Sequence, residues 1–196
     1  YKDWDCDVVL DRSVWGLQDN LEMLKKYAPN EIKFVVLYRD LEEVIASFIH
    51  WSENNKPNFL DDDTDGTYES KAAHIVRTDS EIWRDYWSIK GAKDSGFPCF
   101  FIEYKDLVAH TPDVISSLYK FLEIDSYDHD YKKLNLFNID GLKYNDSVVG
   151  SNLHTIRTDG IQFNKYNLDK YLSKDILNFC RTLNFWKDGS LRKTWC

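Results

Sequence analysis

The stretch Lys33–Trp51, KFVVLYRDLEEVIASFIHW, constrains the fold more than any other part of the chain. Around its start, Ile32–Tyr38 is a nearly continuous apolar run, as expected of a strand buried on both faces of a parallel sheet. Its second half places Leu41, Val44, Ile45, Phe48 and Ile49 at i, i+3, i+4, i+7 and i+8, the spacing of an amphipathic helix. Between the two stands Arg39, and Ser47 follows eight residues later on the helix. Open α/β sheets bind ligands outside their strand carboxyl ends. An arginine fork matches phosphate oxygens bidentately. A guanidinium at a strand end, with a hydroxyl about two turns along the next helix, is a geometry for holding an anion.

The rest of the chain supports an α/β reading. Val8–Leu10 reads as a short strand, and Leu17, Leu21 and Leu24 recur at helical spacing up to Tyr27. Pro29-Asn30 is a turn signal. Asn54–Gly66, with Pro57 and the acidic run DDDTD, reads as a solvated loop, and it lacks the ligand pattern of a calcium loop. Tyr68–Lys90 carries one long helical pattern, and Cys99–Tyr104 (CFFIEY) reads as another buried strand. Thr111-Pro112-Asp113 is a helix start with Thr as N-cap. Tyr166–Trp186 contains a final helix with Leu168, Tyr171, Leu172, Ile176, Leu177 and Leu183 as its buried stripe. Strands alternating with helices predict a parallel β-sheet flanked by helices in a single domain over 1–196.

Composition narrows the partners. A formal net charge of −8 argues against nucleic acid or an anionic membrane, while a few local arginines can still dominate a pocket for a small anion. No apolar run approaches the roughly 20 residues that span a bilayer. Aromatics make up 15% of the chain and supply either a core or a platform for planar ligands. Cys6, Cys99, Cys180 and Cys196 show neither a CxxC pair nor metal-ligand spacing, and free thiols in a reducing, cytoplasmic compartment account for them most simply. A lumenal parent protein stays open.

The strand–Arg–x7–Ser–aromatic segment resembles the 3'-phosphate-binding motif of the PAPS-dependent sulfotransferases, where PAPS is 3'-phosphoadenosine 5'-phosphosulfate. Phe100–Ile124, FFIEYKDLVAHTPDVISSLYKFLEI, is similar to that family's strand–(Y)ED–L–helix–FL segment. The likeness implies that Arg39 and Ser47 hold the 3'-phosphate and that Tyr104 lies near the adenine. Lys105 stands where the family has an acidic residue, so the role of Asp106 is not carried over. Val9–Trp15, VLDRSVW, resembles the FEKSxxYF-type segment of sulfotransferases acting on glycans, which implies Asp11 as general base and Arg12 as the cation at the transferring group. SNLHTIRTDG falls where the family closes a basic loop over the nucleotide, which implies Arg157 and, less directly, His154.

The resemblance implies a P-loop NTPase-like sulfotransferase fold and transfer of a sulfuryl group from PAPS to a hydroxyl of a carbohydrate or small molecule, without metal. It also marks a departure. No Gly-rich loop with a basic residue and Ser/Thr lies near Tyr1, so the chain is expected to begin after the first strand and phosphate loop and to be weak or inactive by itself. Two other readings remain at this point: a P-loop kinase-like phosphotransferase, which needs GxxxxGK[ST] and metal-binding carboxylates, and a non-catalytic binding domain on the same scaffold.

Overall fold

The computed structural model describes residues 8–28, 32–133, 138–139, 142–143, 158, 160–189 and 191. In chain order the elements are α1 (Gln18–Tyr27), β1 (Phe34–Tyr38), α2 (Leu41–Asn54), α3 (Phe59–Asp62), α4 (Tyr68–Ile75), α5 (Glu81–Asp94) and β2 (Cys99–Glu103). They continue with α6 (Tyr104–Ala109), α7 (Thr111–Leu122), β3 (Asn138–Ile139), β4 (Leu142–Lys143), α8 (Leu168–Tyr171) and α9 (Lys174–Leu183). β1 and β2 pair in parallel, from Phe34 opposite Cys99 to Tyr38 opposite Glu103. Parallel neighbours need a crossover, which α2 to α5 provide. β3 and β4 form a separate antiparallel pair. The architecture is therefore a helix-rich α/β fold around a small parallel sheet.

The main core is built on α2. Ile45, Ala46 and Ile49 are fully buried and meet Leu60 of α3, Ala72 and Ile75 of α4, Tyr86 of α5, and Leu177 and Cys180 of α9. Each buried isoleucine contributes about 1.5–3 kcal/mol. A second, smaller cluster joins Phe100 and Ile102 of β2 to Val114 of α7. The turn between β1 and α2 is fixed from the far end of the chain. Asn184 Oδ1 accepts from the Leu41 amide at 3.1 Å, Asn184 Nδ2 donates to the buried Glu42 at 2.7 Å, and Trp186 Nε1 donates to Asp40 at 3.0 Å. Arg39 thus projects from a braced turn.

Several expectations need correction. Val8–Leu10 is not a strand; it is exposed, with no ladder partner among the described residues. β1 is buried on one face only, because α7 covers β2 but leaves Val35 and Leu37 39% and 53% exposed. The pattern Tyr68–Lys90 is two helices, since Thr67 caps α4 by accepting from the Ser70 amide and Ser80 caps α5 by accepting from the Trp83 amide. Ser173 likewise splits the last helical pattern into α8 and α9. Thr111 is the first helical residue of α7 and not its cap, its hydroxyl being donated back to the Leu107 carbonyl. The acidic loop holds α3, and Asp61 pairs with the buried Lys71 instead of facing water alone. The turn Pro29-Asn30 lies outside the described residues.

Candidate functional site

The parallel register decides where the predicted residues meet. Tyr38 stands opposite Glu103, so the next residues, Arg39 and Tyr104, leave the two strands side by side at their carboxyl ends. The guanidinium carbon of Arg39 lies 4.5 Å from the centroid of the Tyr104 ring and 5.6 Å from that of Tyr166. Its Nε donates to Glu43, one turn along α2, at 3.0 Å. Ser47, a further turn on, donates its hydroxyl to Tyr166 Oη at 3.3 Å. Arg39 and Ser47 therefore share one environment, with Tyr166 as the common neighbour. Among the described residues Glu43 is the hydrogen-bond partner of the guanidinium, engaged at Nε, while its central carbon lies over the rings of Tyr104 and Tyr166.

The other candidates are placed differently. Asp11 and Arg12 are both exposed, and Arg12 acts electrostatically on Asp85 of α5. Lys105 forms an ion pair with Glu103. Asp106 is buried in the first turn of α6. His154 and Arg157 lie outside the described residues. His74 and His129 have structural partners, Asp63 and the Tyr119 hydroxyl.

Next to Tyr166 lies an open cleft of about 360 Å³, lined by His50, Phe163, Asn164, Tyr166, Lys170 and Tyr171. Behind its wall Glu53 accepts from the Tyr68 hydroxyl, from Lys170 at 2.9 and 3.0 Å, and from the Tyr171 hydroxyl at 2.9 Å. The Tyr68 hydrogen bond is the main cause, aided by Lys170 and Tyr171, that lowers the Glu53 carboxyl from 4.5 to about 2. A carboxyl depressed in the folded state contributes stability above its unfolded value and loses it as pH falls toward the folded one. Acid unfolding followed by circular dichroism should therefore show Glu53→Gln removing part of the stability lost between about pH 4.5 and 2. An unchanged pH dependence would mean that the pairing adds nothing to folding.

Tyr166, Glu43 and the Glu53 cluster are what the sequence reading missed. Glu43 was visible as an i, i+4 partner of Arg39. Tyr166 was not, since it lies 119 residues from Ser47.

The profile of the sulfotransferase family matches residues 17–129. The chain belongs to the sulfotransferase family. The match spans α1 through α7 of this family member and so contains Arg39, Ser47 and Tyr104, while Asp11, Arg12 and Tyr166 fall outside it. It sets the chain among sulfotransferases and not nucleotide kinases. No curated protein and no solved structure matches it. Among the described residues no helix is long and apolar enough to cross a membrane.

Proposed function

We propose that this sulfotransferase moves a sulfuryl group from PAPS to a hydroxyl of a carbohydrate or small molecule, within one P-loop NTPase-like domain. The observation that carries the reading is the convergence of Arg39, Ser47 and Tyr166 beside Tyr104 at the strand carboxyl ends. The terminal nitrogens of Arg39 suit a phosphate fork-on, and Ser47 and Tyr166 add hydroxyl donors. Glu43 occupies Nε and so fixes the plane of the guanidinium. Tyr104, already stacked on that cation, offers a face for a planar base.

Calorimetry tests the 3'-phosphate assignment directly. The product nucleotide 3',5'-ADP should bind about tenfold or more tightly than 5'-AMP, because charge-assisted hydrogen bonds contribute about 1.5–3 kcal/mol. Equal affinities would overturn the assignment. No binding of either would favour a domain that kept the scaffold without the donor site.

The pair implied for the chemistry, Asp11 as base and Arg12 as cation, is a separate proposal. An acceptor hydroxyl must lose its proton as it attacks sulfur, and charge builds on the leaving phosphate oxygen. Asp11→Asn should lower turnover with nucleotide affinity nearly unchanged. An equal loss in both quantities assigns Asp11 a structural role.

A further inference from the structure

The hydrogen bonds around Tyr171 fix the tautomer of His50. A tyrosine hydroxyl has one proton to give and two lone pairs. Tyr171 Oη lies 2.9 Å from Glu53, 3.0 Å from Lys170 Nζ and 3.0 Å from His50 Nδ1. Ionised Glu53 only accepts and Lys170 only donates, so the tyrosine proton goes to Glu53 and one lone pair goes to Lys170. The remaining lone pair is left for His50, which must then carry its proton on Nδ1. A neutral imidazole protonated there has its lone pair on Nε2.

That lone pair belongs to a ring on the wall of the cleft, with a side chain 46% exposed. Among the described residues no hydrogen bond occupies Nε2. The His50 ring centroid is 5.2 Å from that of Tyr166, the residue that joins Arg39 to Ser47. His50 is three residues beyond Ser47, roughly 4.5 Å along the axis of α2. The cleft and the anion grip are thus neighbours along one helix face. The Glu53 carboxylate lies 3.6 Å from Nδ1, and the Lys170 cation is bound to that carboxylate and to Tyr171. Tyr68 and Tyr166 complete the surroundings as neutral phenols.

We propose that the cleft receives the hydroxyl-bearing acceptor and that His50 Nε2 takes its proton. The step rests on the sulfuryl-transfer reading and is the alternative to Asp11 as base. If His50 takes the proton, Asp11→Asn leaves turnover near that of the wild type. The acceptor oxygen forms a bond to sulfur. The bond between sulfur and the bridging 5'-phosphate oxygen breaks, its electron pair leaving with 3',5'-ADP, and the acceptor proton passes to Nε2. Tyr171 and Glu53 are positioning residues that hold the tautomer and steady the imidazolium.

Two measurements test this. Long-range proton–nitrogen NMR on the neutral protein should find the His50 proton on Nδ1, and Tyr171→Phe should shift population to the Nε2-protonated form. Transfer from PAPS to water, read as 3',5'-ADP release, should fall about a hundredfold or more in His50→Gln. The KM for PAPS and the affinity for 3',5'-ADP should stay as in the wild type, and the acid limb of the pH–rate profile should flatten. A wild-type proton on Nε2, an unchanged rate in His50→Gln, or no release by a wild type that binds 3',5'-ADP each overturns the proposal. Failure of the wild type to bind 3',5'-ADP instead overturns the parent reading, and the NMR result then still decides the relay independently.

Discussion

Arg39→Ala should weaken 3',5'-ADP binding by about tenfold or more, with a loss of stability of about 1–2.5 kcal/mol. The size follows from losing a bidentate, charge-assisted contact of about 1.5–3 kcal/mol. The stability cost follows from the surroundings. The Arg39–Glu43 pair is a partly exposed i, i+4 contact, a class that contributes about 0.3–0.5 kcal/mol. The two ring contacts add a modest term, since stacked cations at partly wet sites contribute about 0.5–1 kcal/mol each. Arg39→Lys separates charge from shape. Lysine keeps the positive charge but loses the planar fork and the guanidinium's contacts with the Tyr104 and Tyr166 rings, so it should recover only part of the affinity. Titration calorimetry of the three proteins decides the matter. Unchanged affinity in Arg39→Ala removes the 3'-phosphate assignment. A large fall in melting temperature would instead make Arg39 a structural member of the turn.

Gly91→Ala should destabilise the fold by about 1–3 kcal/mol, although helix propensity alone predicts a gain of up to about 1 kcal/mol for that change. Sterics decides the sign. α5 and the segment before α1 cross at two glycines, and Gly16 donates its amide to Ser88 Oγ at 3.1 Å. A Cβ at Gly91 would sit 1.9 Å from the Gly16 carbonyl oxygen, and one at Gly16 would sit 1.9 Å from the Ser88 carbonyl oxygen. Both obstacles are backbone, so no rotamer change relieves them and the two segments must separate. Leu21 of α1, which packs 3.6 Å from the same site, would lose contact with the separation. Urea unfolding is the measurement, and a stabilised Gly91→Ala would show that the crossing opens freely.

What the sequence disclosed divides by range. The β1–Arg39–α2 unit and the tyrosine that directly follows β2 were legible, because strand and helix periods are local and the turn after β1 carries its own charge. The breaks before Ser80 and Ser173 were signalled by capping side chains, but a continuous apolar stripe masked them: Ala72, Ile75, Ile82 and Tyr86 keep helical spacing across the gap. Val8–Leu10 reads as a strand on composition alone, yet strand formation needs a neighbouring edge, which no local pattern supplies. The partners of the site were the least legible. Tyr166 reaches Ser47 across 119 residues and Tyr171 reaches Glu53 across 118, and only tertiary packing brings them there.

The proposed anion grip draws on chain positions 39, 47, 104 and 166, which only the folded chain brings together. A ligand that needs all of them binds the native state and not the unfolded chain. Under the proposed function, linkage would make nucleotide a thermal protectant by mass action, adding about 2.7 kcal/mol at a hundred times its dissociation constant. Loosening α8 from α2 would abolish that protection even with every residue of the strand–helix unit intact.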